Sequence, residues 1–242
     1  MVTACLAMTR AVESMGLHAD MTAGLSLGEY CAIAVAGGMC DLDAIRTVRS
    51  RGIFMEHAAP EGSGAMSAVL GMDAAVIEDV LNGREGVSIA NYNCPGQIVI
   101  TGEADAVAEA GTVLKEAGAR RVLPLKVSGP FHSPMMRPAG EELAKVFARV
   151  SMNPLKIPYV ANINAEVITD CGRIEGLLVE QVSGSVRWQQ SVETMIREGV
   201  DTFVEIGPGK TLTGFLRKID KNVKAYHIGS WEEAVQVCEE LK

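Results

Sequence analysis

The sequence predicts a protein of the α/β class, with a parallel sheet and a smaller subdomain inserted into a larger one. Strand-like and helix-like segments alternate along the 242 residues, as they do where helices connect parallel strands. Hydrophobic residues make up 48% of the chain, which is enough to form a full core. The order of elements changes after the turn-rich segment Pro60-Glu61-Gly62-Ser63-Gly64, and this change indicates the insert.

The larger subdomain is predicted to comprise residues 1–59 and 128–242. Its first part is expected to contain a helix over about 2–15, a short strand at 19–23, and helices at 29–36 and 42–57. Its second part is expected to contain a helix at 138–149, a strand at 157–162, a helix at 186–198 and a strand at 202–206. After the turn Gly207-Pro208-Gly209 we expect another helix, a strand at 224–228, and a C-terminal helix opened by the capping-box pattern Ser230-Trp231-Glu232-Glu233. This alternation favours a parallel sheet with helices on both faces.

The smaller subdomain is predicted to comprise residues 60–127. Its expected elements are a strand at 66–71, a helix at 74–81, strands at 87–91 and 97–101, a helix at 104–117 and a strand at 121–127. The order β-α-β-β-α-β is the ferredoxin-like arrangement.

Charge and composition exclude several classes of function. The formal net charge of −8 argues against nucleic acid as a partner, because phosphate binding requires a basic face. No apolar run approaches the length of about 18 residues that a membrane-spanning helix needs. The six cysteines lack zinc-type spacing and the four histidines lie far apart, so we expect reduced thiols, a cytoplasmic protein and no metal site.

The segment Gly24-Leu25-Ser26-Leu27-Gly28 matches Gly-x-Ser-x-Gly, the pattern of a nucleophilic serine on a sharp strand-to-helix turn. Its glycines are expected to keep side chains away from the serine in this tight turn. The turn also leaves backbone N–H groups at the start of the next helix ready to bind a developing oxyanion. A purely structural turn is the alternative, but the strand, turn and helix come in the required order.

A serine nucleophile needs a general base, and histidine is the usual one. His132 directly follows a predicted strand, and Ser26 occupies the same kind of position. Because ligands of α/β sheets bind at the carboxyl ends of strands, these two side chains are expected to meet. His227 lies within the last predicted strand, which favours a structural role.

Arg51 borders the apolar stripe that Val48 and Met55 form on their helix. A cation at this place needs an anionic partner, unless its long side chain reaches solvent. Arg46 and Arg49 lie on the same helix, and spacing alone does not choose among the three.

Segments from five parts of the chain resemble, in order, the malonyl-CoA:acyl carrier protein transacylases. They are GLSLGEY (24–30), SRGIFM (50–55), NYNCPGQIVITG (91–102), VSGPFHSPMM (127–136) and EIGPGKTLTG (205–214). The resemblance runs over nearly the whole chain. It implies an α/β-hydrolase-like core with a ferredoxin-like insert, in agreement with the predicted elements.

The resemblance also implies roles for the matching residues. Ser26 would attack the thioester of malonyl-CoA, and His132 would take its proton and later activate the phosphopantetheine thiol of acyl carrier protein. Arg51 would bind the malonyl carboxylate with paired hydrogen bonds. The Leu27 N–H would donate to the oxyanion, and the Gln181 backbone carbonyl would orient the histidine. The reaction, a step of fatty acid biosynthesis, needs no metal or bound cofactor.

Other positions refine or depart from the family pattern. Phe131 resembles the bulky residue that accompanies selection of malonyl over methylmalonyl groups. Leu25 stands where the family commonly has histidine, and we expect a modest effect because that histidine is not the base. The family also carries an N-terminal segment whose Gly-Gln-Gly-x-Gln loop supplies a second oxyanion donor, and no such motif occurs here. The expectation is that the chain lacks this segment, and loss of one donor typically lowers a rate about 10²–10³-fold.

The resemblance implies malonyl-CoA and acyl carrier protein as partners. We expect the protein itself to be a monomer. The carrier is acidic and so is this chain, so a local basic patch should dock it. The candidates are Arg120 with Arg121, and Arg217 with Lys218 and Lys221.

Two further hypotheses stay open. One is a serine hydrolase or thioesterase, because Ser26, Asp201 and His227 follow the Ser–Asp–His order of that fold. The other is an inactive truncated remnant, suggested by the missing oxyanion loop.

Overall fold

Residues 1–241 are described in a computed structural model of the protein, and helices and strands alternate along them. The helices are α1 (Val2–Ser14), α2 (Gly28–Val35), α3 (Asp41–His57), α4 (Ala74–Leu81), α5 (Ala104–Glu116), α6 (Arg137–Phe147), α7 (Ile174–Ser183), α8 (Trp188–Arg197), α9 (Thr211–Ile219) and α10 (Trp231–Glu240). The strands are β1 (Thr22–Ala23), β2 (Gly64–Leu70), β3 (Val87–Cys94), β4 (Gln97–Glu103), β5 (Arg121–Pro124), β6 (Tyr159–Val160), β7 (Val167–Ile168), β8 (Thr202–Ile206) and β9 (Lys224–Ile228).

Parallel pairing is present, as the sequence predicts, but it is divided between two short sheets. Strand β1 pairs in parallel with β6, and β7 joins β6 in the antiparallel direction. Strand β8 pairs in parallel with β9 over five residue pairs, from Thr202↔Lys224 to Ile206↔Ile228. Strand β1 begins at Thr22, three residues later than predicted, and ends at Ala23 as predicted. Beyond Ala23 the side chain of Asn162, and not a strand backbone, bonds to the chain.

Helix α7 and strand β7 were not predicted from the sequence. Helix α7 buries Ile174, Leu177, Leu178 and Val182, which follow the i, i+3, i+4, i+8 spacing of a helix face. It packs against α6, which in turn packs against α3. The largest apolar cluster forms around these helices and α2, with Tyr30, Ile33, Met136 and Leu143 fully buried.

The sheet of the smaller subdomain has four strands and is antiparallel, with the strand order β3-β4-β2-β5. Together with α4 and α5 this is the predicted β-α-β-β-α-β order, and Ile77, Ile98, Ile100 and Leu114 are fully buried in its cluster. Strand β5 ends at Pro124, three residues before the predicted end, although the Leu125 N–H still donates to the Met66 carbonyl of β2.

Among residues 1–241, no helix combines the length and the apolar character needed to cross a membrane.

Candidate active site

Ser26 lies on the sharp turn between β1 and α2. Its φ is 54°, in the left-handed region that a residue with a side chain rarely adopts. Gly24 is required, because a Cβ there would lie 2.0 Å from the carbonyl oxygen of Gly28. A Cβ at Gly28 would meet no atom within 4 Å, so the steric expectation was wrong for the second glycine of the motif. The strain of the positive φ at Ser26 persists only where the surrounding structure holds the turn in place.

Asn162 holds the strained turn from the neighbouring strand. Its Oδ1 accepts the Ser26 N–H at 2.6 Å, and its Nδ2 donates to the Gly24 carbonyl at 2.8 Å. The side chain is fully buried and follows β6 by two residues. The sequence analysis missed this residue, although it ends the predicted strand 157–162, where functional side chains of α/β sheets gather.

The structure brings Ser26 and His132 together, as the sequence predicted. Ser26 Oγ lies 2.7 Å from His132 Nε2. His132 Nδ1 lies 2.9 Å from the Gln181 backbone carbonyl, which can only accept, so Nδ1 carries the hydrogen. The neutral imidazole therefore presents an unprotonated Nε2 to the serine hydroxyl, as a general base must.

His132 is buried, and it too has a positive φ, of 61°. Burial, with the nearby charge of Arg51 as a second cause, lowers the pKa of the imidazole to about 4. The hydrogen bond to the Gln181 carbonyl opposes this shift. At neutral pH the histidine is thus neutral and able to accept a proton.

Arg51 on α3 completes the group. Its Nη2 donates to Ser26 Oγ and to Gln181 Oε1, each at 3.0 Å. The guanidinium carbon lies 5.9 Å from the centre of the Tyr30 ring, and Nε is buried without a hydrogen-bond partner among the described residues. Burial lowers the pKa of Arg51, although arginine stays charged at neutral pH.

The structure therefore chooses among the arginines of this helix. Arg46 and Arg49 are exposed, whereas Arg51 is only 7% exposed and faces Ser26.

Glu29 is a second site residue that the sequence analysis missed. It lies in the first turn of α2, three residues after Ser26, and is fully buried. Its Oε2 accepts from Gln181 Nε2 at 2.7 Å and from the Asn162 N–H at 3.2 Å. Burial raises the pKa of Glu29 to about 8, and these hydrogen bonds and the Arg51 charge oppose the shift.

The backbone N–H of Leu27 lies at the N-terminal end of α2, next to Ser26. Within residues 1–241 it has no hydrogen-bond acceptor, whereas the following N–H, of Gly28, donates to the Leu25 carbonyl. An uncompensated N–H at a helix N-terminus is the kind of group that binds an oxyanion.

The alternative set of Ser26, Asp201 and His227 is not brought together. His227 Nε2 lies 3.1 Å from the Gly207 carbonyl, and its Nδ1 lies 3.2 Å from Glu233. Asp201 accepts from the neighbouring Thr202 hydroxyl. The reason is the separate β8–β9 sheet, which places His227 between the Gly207 turn and α10.

In the described part of the chain, no three side chains of the metal-ligating types lie together. The six cysteines are free, as expected for reduced thiols.

Comparison with known proteins identifies the relatives of this fold and site. Residues 2–237 match the acyl transferase domain family. The malonyl CoA-acyl carrier protein transacylase of Bacillus subtilis is 43% identical over 246 aligned residues, covering 100% of this chain and 78% of that protein.

Solved structures agree with this match. The acyl-carrier-protein S-malonyltransferase of Burkholderia pseudomallei has a TM-score of 0.95 and 38% identity, covering 98% of this chain and 79% of the other. A malonyl-transacylase in complex with a type II polyketide synthase acyl carrier protein has a TM-score of 0.93 and 37% identity, covering 99% of this chain and 79% of the other. The α/β-hydrolase-like core with a ferredoxin-like subdomain is therefore confirmed. The chain belongs to the acyl transferase domain family and, within it, to the malonyl-CoA:acyl carrier protein transacylases.

Proposed function

We propose that this protein transfers a malonyl group from malonyl-CoA to the phosphopantetheine thiol of acyl carrier protein, through a malonyl ester of Ser26, in fatty acid biosynthesis. The observation that carries the proposal is the position of Ser26 Oγ, 2.7 Å from a neutral histidine and 3.0 Å from a buried arginine. The first partner supplies a base for nucleophilic attack, and the second supplies a cation for an acidic acyl group.

The first half of the reaction forms the ester. His132 Nε2 takes the hydroxyl proton while Ser26 Oγ attacks the thioester carbonyl carbon, and the Leu27 N–H stabilises the resulting oxyanion. The bond from carbon to sulfur then breaks, and the CoA sulfur leaves with the proton from His132. The Gln181 carbonyl holds Nδ1–H throughout, so the imidazole keeps its orientation.

The second half reverses these roles. The phosphopantetheine thiol gives its proton to His132 Nε2 and attacks the ester carbonyl. The bond to Ser26 Oγ breaks, and the serine oxygen recovers the proton. No metal or bound cofactor has a part in these steps.

Arg51 is proposed to select the acyl group. A malonyl carboxylate would give the buried guanidinium an anionic partner and would use its unpartnered Nε together with a terminal nitrogen. An acetyl group would leave this cation uncompensated. Phe131 packs against both the main core and a small cluster of Met66, Ala68, Ala90 and Val99. Its side chain is proposed to exclude the extra methyl of methylmalonyl.

The docking surface for acyl carrier protein is proposed to be one of the two basic patches. Arg120 and Arg121 are exposed at the start of the edge strand β5, and Arg217, Lys218 and Lys221 are exposed around the end of α9. Substituting each patch by glutamates should raise the KM for the carrier only at the true surface, and only at low salt.

We further propose that the protein acts as a monomer in the cytoplasm and binds no nucleic acid. The free cysteines and the net charge of −8 support this view. Light scattering of the purified protein tests the monomer.

The whole reaction is tested by incubating the protein with malonyl-CoA and holo acyl carrier protein and following the mass of the carrier. A carrier without its phosphopantetheine arm and the Ser26→Ala protein are the controls, and neither should give malonyl-carrier. Release of free malonate without malonyl-carrier would favour the hydrolase. A folded protein that releases no CoA would favour the inactive remnant.

A further inference from the structure

Gln181 forms hydrogen bonds with four other residues of the site. Its backbone carbonyl accepts from His132, and its side-chain Oε1 accepts from Arg51. Its side-chain Nε2 donates to the Ser26 carbonyl at 2.9 Å and to Glu29 at 2.7 Å. The side chain is fully buried, so each of these groups depends on its protein partner.

The amide of a glutamine has an accepting end and a donating end, and its function here depends on which end faces Arg51. Arg51 can only donate, so it requires Oε1. Glu29 Oε2 already accepts the N–H of Asn162, so it is an acceptor and requires Nε2 of Gln181. Oε2 also accepts when the carboxyl is protonated, because the proton then lies on Oε1, a buried atom with no hydrogen-bond partner within residues 1–241.

We propose that Glu29 is a positioning residue: together with the Ser26 carbonyl, which also accepts from Gln181 Nε2, it fixes the Gln181 amide and thereby holds Arg51 where the malonyl carboxylate binds. The proposal rests on the proposed function, and it assigns a role to a buried carboxyl group that takes no part in the proton transfers. Glu29 acts on Arg51 through Gln181, whereas His132 depends on the Gln181 backbone and not on its side chain.

Glu29→Met is the direct test. A methionine at position 29 has no accepting oxygen, so Gln181 Nε2 keeps only the Ser26 carbonyl as an acceptor, the Gln181 side chain is no longer fixed, and the Arg51 guanidinium shifts with it. We expect the ratio of kcat/KM for malonyl-CoA to that for acetyl-CoA, measured as loading of Ser26, to fall at least about tenfold, since a misplacement of 1 Å can cost about 10²-fold. The loss should lie mainly in the KM for malonyl-CoA, and acetyl loading should stay close to that of the unchanged protein.

Two further variants sharpen the test. Glu29→Gln keeps an oxygen that accepts from Gln181 Nε2 and from the Asn162 N–H, so it should retain more of the malonyl preference than Glu29→Met. Tyr159→Phe removes a buried hydroxyl that has no hydrogen-bond partner within residues 1–241 and whose pKa is raised by burial and by the charge of Glu29. It therefore controls for disturbance of the same buried region, and its selectivity should be unchanged.

The outcomes separate this inference from the proposed function. If the unchanged protein does not load malonyl groups, the proposed function fails. If it does, and Glu29→Met keeps the malonyl-to-acetyl ratio or lowers both rates equally, the positioning role is wrong. Should Glu29→Met fail to fold, Gln181→Met tests the same link from the other side, and an unchanged ratio there would overturn the proposal.

Discussion

The four-stranded sheet of the smaller subdomain and the turn at Ser26 are stabilised by different kinds of contact. In the sheet, β2 and β4 pair without interruption from Gly64↔Glu103 to Leu70↔Gln97, and the cluster beneath it comes entirely from residues 65–122. At the turn, β1 is two residues long, and side chains 106, 136 and 155 positions away in the sequence hold Ser26. The sheet thus follows from local patterns and nearby pairing, whereas the site depends on a few distant side chains. It follows that the site can be destroyed while the fold survives.

The largest expected effect separates the two candidate histidines, His132 and His227. His132→Ala removes the base and should lower malonyl transfer about 10²–10⁴-fold, whereas His227→Ala should leave the rate near that of the unchanged protein. Initial rates with saturating malonyl-CoA measure both. A larger loss from His227→Ala than from His132→Ala would contradict the assignment of the base.

Removal of the buried cation should come next. Arg51→Ala should lower kcat/KM for malonyl-CoA by about 30-fold or more, because losing one partner of a buried charged pair costs about 2–5 kcal/mol. The matched control is Arg49→Ala, two residues earlier on the same helix and exposed. Equal losses for malonyl-CoA and acetyl-CoA in Arg51→Ala would show that the arginine does not read the carboxylate.

Asn162→Ala tests whether a distant side chain really maintains the turn. It leaves the Ser26 N–H without its acceptor, which costs about 1–3 kcal/mol, and the relaxed turn should lower the acylation rate about tenfold or more. Asn164→Ala is the control, since the Asn164 side chain bonds only to the nearby Glu166 N–H. Denaturant unfolding and acylation should both be measured, and unchanged acylation in Asn162→Ala would contradict the role.

The opposite result is expected in the smaller subdomain. Leu114→Ala should lower the free energy of unfolding by about 2–5 kcal/mol, because this side chain is fully buried in the cluster. Below the unfolding transition its kcat/KM should stay near normal. We propose that residues 60–127 form a unit of their own, and a large loss of kcat/KM in folded Leu114→Ala would argue against that independence.

The smallest effect concerns pH. The pKa of His132 in the folded protein, about 4, lies below its ordinary value of 6.5, so the base form should persist as the pH is lowered. The folded state also binds fewer protons than the unfolded state between these values, so this histidine's contribution to stability falls as the pH decreases from 6.5 towards 4.

The rate at which phenylmethylsulfonyl fluoride modifies Ser26 depends on the same base. Because this reagent has no carboxyl group that titrates, unlike malonyl-CoA, its rate reports the protonation of His132. It should be nearly constant between pH 7 and about 5, a range in which Glu29, with a pKa raised to about 8 by burial, keeps its proton. A midpoint near the ordinary histidine value of 6.5 would contradict the buried base.

Prediction from the sequence succeeded where the information is local. Helix α4 was predicted at 74–81 and lies at Ala74–Leu81, and the β-α-β-β-α-β order of the smaller subdomain is correct. The Gly-x-Ser-x-Gly pattern correctly predicted the turn at Ser26. Ser26 and His132 also meet as predicted, but the strand before His132, β5, lies in the antiparallel sheet and not beside β1, so that part of the reasoning was wrong. Their catalytic roles stay predictions until the variants are measured.

Prediction failed where the determinants lie far apart in the sequence. Nothing local distinguishes Asn162 from a strand-end asparagine in solvent, because its two partners are 136 and 138 positions away. The same holds for Glu29, which appears as an ordinary helix-start acid until Gln181 and Asn162 are placed beside it. The missed helix α7 is different, since its apolar spacing was visible in the sequence.

The most direct test of the account is the intact mass of the protein after brief incubation with malonyl-CoA, in the absence of acyl carrier protein. The account predicts a mass increase of one malonyl group that is absent from Ser26→Ala and strongly slowed in His132→Ala. No increase in a folded sample, or an increase that persists in Ser26→Ala, would contradict the claim that Ser26 is the nucleophile.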